Sequence, residues 1–123
     1  GWVDAVVMNV LMGAASVVEL KELARVSYQP LAEVFRAILP REKRHAELGV
    51  AGLARIVAGD EGRAQALVSI AYWYPRVAAR FGHAGSTRFE TLSRFGLRHT
   101  PNETLLADWR ADVDAQLSAL GLN

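Results

Sequence analysis

The amino-terminal segment constrains the fold most, because it is apolar over almost its whole length. Polar side chains interrupt it only at Asp4, Asn9 and Ser16. A membrane span needs about 18 clean apolar residues, so these interruptions favour a helix buried in a soluble protein. We therefore predict a first helix from Trp2 to about Val26 that is apolar on nearly every side and lies at the centre of the fold.

The rest of the chain divides into helices at prolines, glycines and capping residues. We predict four further helices: Pro30 to about Ala58, Asp60 to about Phe81 with Asp60 as the cap, one from Thr87, and one from Thr100 to about Leu120. Thr87 with Glu90 and Thr100 with Glu103 match the capping box. Pro40 should kink the second helix or split it into two. No segment alternates like a strand, so the sequence predicts a single all-α domain over 1–123, folded as a helical bundle.

The charge balance and the lack of cysteine limit the partners and cofactors. The chain has 14 basic and 13 acidic residues, a net charge of +1 and no cysteine. Such a balance creates no strong field to attract nucleic acid or an anionic membrane, and we expect neither as a partner. The absence of cysteine fits a reducing cytoplasm. Any metal site would have to use carboxylate and imidazole ligands.

Glu42 and His45 are the strongest candidates for a functional site. On a helical wheel they fall inside an apolar stripe of the second helix, which consists of Leu31, Phe35, Ile38, Gly49, Leu53 and Ile56. The charged neighbours, including Arg41, Lys43 and Arg44, fall on the other side. A carboxylate among apolar side chains must be paired, protonated or bound to a cation. We therefore expect both side chains to face inward, toward other helices.

The Glu-x-x-His spacing has two interpretations, which the residues alone leave open. Residues three apart on a helix project together, and in helical carboxylate proteins such a pair binds one metal. The alternative is a hydrogen bond between Glu42 and His45, or a partner from another helix, without metal. The motif is short and recurs by accident, so its spacing alone favours the metal-free interpretation.

Several other features have ordinary structural interpretations. We expect Tyr72, Trp73 and Tyr74 to belong to the core. The segment from Gly49 to Gly52 lies within a helix and should allow close helix packing, and the basic cluster at residues 41–44 should face solvent. His83 and His99 have no companion at ligand spacing, and nothing matches a hydrolase nucleophile.

Five motifs together resemble a known family. They are Ser27-Tyr28-x-Pro30, Glu42-x-x-His45, Tyr72-Trp73-Tyr74-Pro75, Phe81-Gly82 and Leu120-Gly121-Leu122. This set resembles the catalytic A subunits of the phenylacetyl-CoA 1,2-epoxidases, over nearly all of this chain but only over the C-terminal part of that family. The earlier helices of the family carry a first Glu and a first Glu-x-x-His, which would lie upstream of Gly1 or be absent.

The resemblance implies a fold, a reaction and a cofactor. The family consists of ferritin-like di-iron monooxygenases of phenylacetate breakdown, which receive electrons from a reductase partner and epoxidise an aromatic CoA thioester. It implies that Glu42 and His45 are iron ligands of the second Glu-x-x-His. A further acidic ligand is expected on the preceding helix, but its position corresponds to Gly13. Asn9 and Ser16 share the face of Gly13 and could hydrogen-bond the pair without metal. The resemblance therefore implies a depleted metal site.

The same considerations predict an assembly. If this chain corresponds only to the C-terminal part of the family's helical bundle, it would expose a large apolar face. We therefore expect a homodimer or a larger complex with monooxygenase subunits. A two-fold dimer would bring Glu42 and His45 of both copies together, although the bridging acids of the family would still be missing. The first hypothesis is an oxidoreductase component that binds iron through this pair. The second is a metal-free structural or regulatory subunit that has lost the oxygen chemistry.

Overall fold

The computed structural model describes residues 1–123 and contains five α-helices, one 3-10 turn and no strand. The helices are α1 (Trp2–Leu23), α2 (Gln29–Ile56), α3 (Asp60–Ala78), α4 (Thr87–Arg94) and α5 (Asn102–Ala119), with the 3-10 turn at Ala79–Phe81 after α3. The predicted all-α class and the helical bundle are confirmed.

Helix α1 lies at the centre, as its apolar composition predicts. It packs against α2, α3 and α5, and its residues Val7, Leu11 and Ala15 are buried. Helix α5 contributes Trp109, which is completely buried and donates a hydrogen bond from its indole nitrogen to the Leu11 carbonyl oxygen at 3.0 Å. This indole joins α5 to the middle of α1.

The composition of α1 also meets the simple criterion for a membrane span. It is the one helix of the chain that is long and apolar enough, with a mean hydropathy of 1.7 in its most apolar window. The core helix of a soluble bundle meets the same criterion, because it too must avoid water along its length. The contacts of α1 with three other helices are those of a core helix.

Small residues bring α1 and α2 close together in an antiparallel pair. A Cβ atom added to Gly13 would lie 3.4 Å from the Cβ of Ala46, and one added to Gly49 would lie 3.6 Å from Val10. A Cβ added to Gly52 would meet Val6 at 4.0 Å. Residue numbers therefore rise along α1 as they fall along α2. Gly49 and Gly52 thus lie on the side of α2 that faces α1, as the packing prediction requires, but added Cβ atoms would make only ordinary van der Waals contacts there.

The helix ends differ from the predicted ends in small ways. Helix α1 stops at Leu23 instead of Val26, and α2 runs from Gln29 to Ile56 without a break at Pro40. The alternative of two separate helices is therefore wrong. A proline lacks the N–H of one helical hydrogen bond, but the surrounding turns keep theirs and Pro40 is exposed to solvent.

Three predicted caps are wrong. Gly59, and not Asp60, is the cap of α3. Ser86, one residue before the predicted Thr87, caps α4 by accepting a hydrogen bond from the Phe89 N–H at 3.3 Å. The Thr100 hydroxyl accepts a hydrogen bond from Arg25 at 3.1 Å, and no side chain caps α5, which begins after Pro101. At the start of α5, therefore, the contact of Thr100 with Arg25 takes the place of a capping hydrogen bond.

Candidate functional site

Glu42 and His45 lie on one side of the contact between α2 and α1. Ala46 faces Gly13 of α1, and at about 100° per residue the two side chains diverge from Ala46 in the same direction. Glu42 is half-buried and His45 is exposed. The pair therefore sits beside the helix contact and not within it, and the prediction that both side chains face inward is wrong for His45.

The prediction that the apolar stripe of α2 is buried within the chain is wrong, apart from Leu53. Leu53 is fully buried, but Leu31 is 41% exposed and Ile38 is 38% exposed, while Phe35 and Ile56 are half-buried. The physical reason is the placement of the other helices. Helices α3 and α5 pack on α1, and α2 touches little besides α1. The part of the stripe near the start of α2 is therefore largely uncovered within this chain, whereas Gly49 lies against α1 and Ile56 packs on the core.

We call the surface formed by Asn9, Gly13 and Ser16 of α1 together with Glu42 and His45 of α2 the open face. Asn9 is exposed and Ser16 is half-buried. None of the side-chain hydrogen bonds of the protein involves any of these residues. The predicted hydrogen bond between Glu42 and His45 does not form, and neither do bonds to Asn9 or Ser16. All four polar side chains are free to bind a partner.

The donor set of the open face fits part of a metal site. One carboxylate and one imidazole project from successive turns of α2, which suits a hard or borderline cation such as iron. The opposing position on α1 is Gly13, which has no side-chain ligand, and the chain brings no third His, Asp or Glu to the pair. A di-iron centre needs more ligands than this chain places here, so the remaining ligands would have to come from helices outside it.

A second carboxylate, Glu22, is the most deeply buried charged group of the protein. It accepts hydrogen bonds from the backbone N–H of Thr100 at 2.7 Å, from the backbone N–H of His99 at 3.2 Å and from Arg98 Nε at 3.2 Å. Its side chain is 3% exposed. Glu22 therefore fixes the segment before α5 to the end of α1, which is a structural role.

The surroundings of Glu22 determine its ionisation. Burial raises the pKa of this carboxyl, but the hydrogen bonds from Thr100, Arg98 and His99 outweigh burial, and the pKa lies below its usual 4.5. The carboxylate is thus charged at neutral pH. Sequence reasoning missed it, although Glu22 follows the buried Leu11, Ala15 and Val18 at helical spacing, and this pattern was a usable signal.

Asp4, the polar residue near the start of α1, lies at the edge of an open groove of about 870 Å³ between α1 and α3. It accepts hydrogen bonds from the Ser69 hydroxyl at 2.5 Å and from Trp73 Nε1 at 2.9 Å, and these bonds lower the pKa of the Asp4 carboxyl. Tyr72 on the groove wall is 50% exposed, so its predicted place in the core is wrong. The reason is that no helix covers this side of α3.

The remaining candidates are where the sequence placed them. Arg41, Lys43 and Arg44 are exposed on α2, as predicted. His83 and His99 are exposed in loops, and the side chain of neither takes part in a hydrogen bond, since His99 contributes only its backbone N–H. The open face thus contains the only carboxylate and imidazole pair that both fold and motif single out.

A bundle of α-helices built around a closely packed antiparallel pair, with Glu-x-x-His on one of its helices, is a ferritin-like helical bundle. Residues 1–123 match the family model described as phenylacetic acid catabolic protein, and the chain belongs to this family. A search of curated proteins finds no match. The family places the chain in phenylacetic acid catabolism.

Proposed function

We propose that the chain is a component of the monooxygenase that epoxidises the ring of phenylacetyl-CoA, and that it contributes Glu42 and His45 to a metal site completed by other helices. Membership of the phenylacetic acid catabolic family supports the pathway. One observation carries the proposal of a site: the carboxylate and the imidazole project side by side from α2 with no partner of their own, on a face that no helix of the chain covers.

Each residue of the open face has a definite part in this proposal. Glu42 would supply a charged oxygen ligand and His45 a nitrogen ligand, and the bound iron would supply the activation of oxygen. The antiparallel register places Ser16 one turn from Gly13 and near Glu42. Its hydroxyl can orient the carboxylate by a hydrogen bond. Gly13 itself is buried against Ala46, so any further ligands would have to reach the pair from the uncovered side.

A second candidate function is favoured by Gly13 itself. The family resemblance puts an acidic ligand at the position of Gly13, so the glycine removes one carboxylate from the site. A subunit with a purely structural role does not need that carboxylate. The close contact with α2 does not require this glycine, because an added Cβ would meet Ala46 at an ordinary van der Waals distance of 3.4 Å. The alternative is therefore a metal-free structural or regulatory subunit of the same complex.

Metal analysis separates the two functions. The complex that contains the chain, purified without chelator, is analysed for iron and manganese beside the same complex with Glu42→Ala. Glu47→Ala is the matched control, because Glu47 is an exposed acid of the same helix that lies away from the open face. We expect metal in the wild type and in Glu47→Ala, and its loss in Glu42→Ala. Equal metal content in all three proteins would contradict the proposed site and leave the structural role.

A gain-of-ligand variant makes the test two-sided. Gly13→Glu returns a carboxylate to the helix that faces Glu42, and its Cβ fits against Ala46. If the open face is a depleted metal site, this variant should bind more iron than the wild type. If the face has no metal function, the added acid should leave the iron content unchanged.

A further inference from the structure

Trp109, at the centre of the bundle, is joined to the protein surface by a short chain of contacts. Its indole ring is completely buried, the half-buried Tyr74 packs against it, and the Tyr74 hydroxyl donates a hydrogen bond to the exposed Asp114 carboxylate. We infer that these three residues form an electron-transfer path, which carries an oxidising equivalent from the core to the surface. All three contacts of the path lie within this chain.

The ring contact provides the first step of the path. The centroids of the Trp109 and Tyr74 rings lie 4.8 Å apart, which is direct contact for two aromatic side chains. The other aromatic ring beside Trp109 is that of Phe81, with its centroid 5.9 Å away. A phenyl ring is much harder to oxidise than a phenol, so the electron that refills an oxidised indole comes from Tyr74.

The hydrogen bond of the indole keeps oxidised Trp109 reactive. Trp109 Nε1 donates to the Leu11 carbonyl oxygen at 3.0 Å, and a backbone carbonyl is too weak a base to take the indole proton. Loss of one electron therefore leaves Trp109 as a radical cation. This cation is a stronger oxidant than the neutral radical that loss of the proton would give, and it takes an electron from Tyr74.

The hydrogen bond of Tyr74 supplies the proton acceptor that oxidation of a phenol requires. Burial and the bond to Asp114 raise the pKa of the Tyr74 hydroxyl to about 12, so this group is protonated at neutral pH. It lies 2.8 Å from Asp114 Oδ1, at hydrogen-bond distance. When Tyr74 gives an electron to Trp109, its proton moves to this oxygen, which leaves a neutral indole, a neutral tyrosyl radical and a protonated carboxyl.

A reductant in solution completes the sequence at the surface. A thiol returns a hydrogen atom to Tyr74, and Asp114 releases its proton to water. The net result is the transfer of one electron from the thiol to the oxidant that first attacked Trp109. The three residues end unchanged, so the path can operate repeatedly.

A second aromatic pair of the same spacing lacks these features. Tyr72 and Trp73 have ring centroids 4.9 Å apart, but Trp73 Nε1 donates to the Asp4 carboxylate, which is basic enough to take the proton of an oxidised indole. The Arg76 guanidinium lies over the Tyr72 ring, 3.7 Å from its centroid, and its positive charge opposes the loss of an electron from that ring. This pair is therefore a matched comparison within the same protein.

The path begins behind the open face. Leu11 and Gly13 differ by about 200° around α1, so Trp109 and the open face lie on opposite sides of this helix. A one-electron oxidant produced by oxygen activation on the open face would reach Trp109 across the width of one helix, about 10 Å. The path would consume this oxidant when no substrate does so, and this use rests on the proposed function.

Flash photolysis of a single-tryptophan protein tests the path without metal. Trp2→Phe with Trp73→Phe leaves Trp109 as the one indole, and an ultraviolet pulse that ejects its electron starts the transfer. We expect the absorption of the indole radical to decay as that of a tyrosyl radical rises. Tyr74→Phe in this background should abolish the rise, whereas Tyr72→Phe should leave it unchanged. A rise that survives Tyr74→Phe, or no rise at all, would overturn the inference.

The proton step has a readout of its own. Asp114→Asn keeps an oxygen that accepts the Tyr74 hydrogen bond, but an amide is too weak a base to take the proton. It should slow formation of the tyrosyl radical by roughly 100-fold, the low end of the effect of a positioned proton acceptor, and heavy water should slow the transfer in the parent protein. The control is Asp112→Asn, another exposed acid of α5, which should change nothing. Equal rates in the two variants would refute the assigned proton acceptor.

The second aromatic pair tests the argument from the hydrogen bonds. Trp2→Phe with Trp109→Phe leaves Trp73, whose ring contacts Tyr72. This protein should form a tyrosyl radical more slowly than the protein that retains Trp109, and an equal rate would contradict the argument. None of these measurements needs iron. A path that works in a protein whose complex binds no iron would support the path and refute only the proposed function.

Discussion

Removal of the Glu22 carboxylate should destabilise the protein more than the loss of any other charged side chain. The substitution Glu22→Ala takes away the acceptor of two backbone N–H groups, those of His99 and Thr100, and the partner of Arg98. The site is almost completely enclosed, so the two N–H groups lose their acceptor where water has little access.

The magnitude follows from these contacts. A buried donor left without an acceptor costs about 1–3 kcal/mol, and two such donors cost roughly 3 kcal/mol if water partly replaces the carboxylate. Arg98 adds little, because it keeps its hydrogen bonds to the Thr100 carbonyl and the Asn102 side chain, both at 2.9 Å. A loss of about 3 kcal/mol is a large part of the 5–15 kcal/mol that stabilises a domain.

Urea unfolding followed by circular dichroism measures this loss. With a slope of about 2 kcal/mol per molar for a small domain, the midpoint of Glu22→Ala should fall by roughly 1.5 M. The control is Glu19→Ala one turn earlier, which removes only an ion pair to Arg80 between side chains that are 34% and 39% exposed. That change should cost less than about 1 kcal/mol. Equal midpoints for the two variants would refute the reasoning.

The same carboxyl makes stability depend on pH. The pKa of Glu22 is lower in the folded protein than its usual 4.5, so the folded state favours the charged form. Its contribution is therefore complete above about pH 4.5 and is lost as the pH falls through the folded value. Between neutral pH and pH 3 the wild type should lose more stability than Glu22→Gln. A parallel decline of the two proteins would contradict the assignment.

Two further substitutions test the core and one helix junction. Trp109→Phe removes a buried indole and its hydrogen bond to the backbone of α1. It should lower the free energy of unfolding by about 2 kcal/mol, measured by urea unfolding. The control Trp2→Phe, at a 74% exposed position, should lower it by almost nothing. Gly62→Ala places a Cβ against the Ile56 carbonyl oxygen and should cost about 1–3 kcal/mol or more, while Gly59→Ala, with nothing within 4 Å, should cost less than about 1 kcal/mol by the same assay.

The sequence predicted those features that depend on local pattern. The apolar composition of α1 predicted its central place, and the glycines of α2 marked the side of α2 that meets α1, because both are properties of one helix surface. The caps predicted at Asp60, Thr87 and Thr100 were each wrong by one residue. Helix ends depend on competing contacts, and the Thr100 hydroxyl accepts a hydrogen bond from Arg25 in the turn after α1.

The burial of the candidate site could not be predicted from one helix. The apolar stripe around Glu42 and His45 was identified correctly as a stripe, but a pattern does not say whether its partner lies in the same chain. Helices α3 and α5 pack on the back of α1 instead. Glu22 shows the opposite case: it was not among the predicted sites, although tertiary hydrogen bonds enclose this charged residue near the end of α1.

The contacts of α5 have a consequence for the order of folding. Trp109 bonds to a residue 98 positions earlier in the chain, and Glu22 reaches Thr100 across 78 positions. The α1 and α2 hairpin closes over a short loop, so we expect it to form first. Helix α3 then covers part of its apolar surface, and the rest stays exposed until α5 arrives. During synthesis the last helix leaves the ribosome after all the others. The nascent hairpin must therefore stay soluble before Trp109 covers the centre of α1.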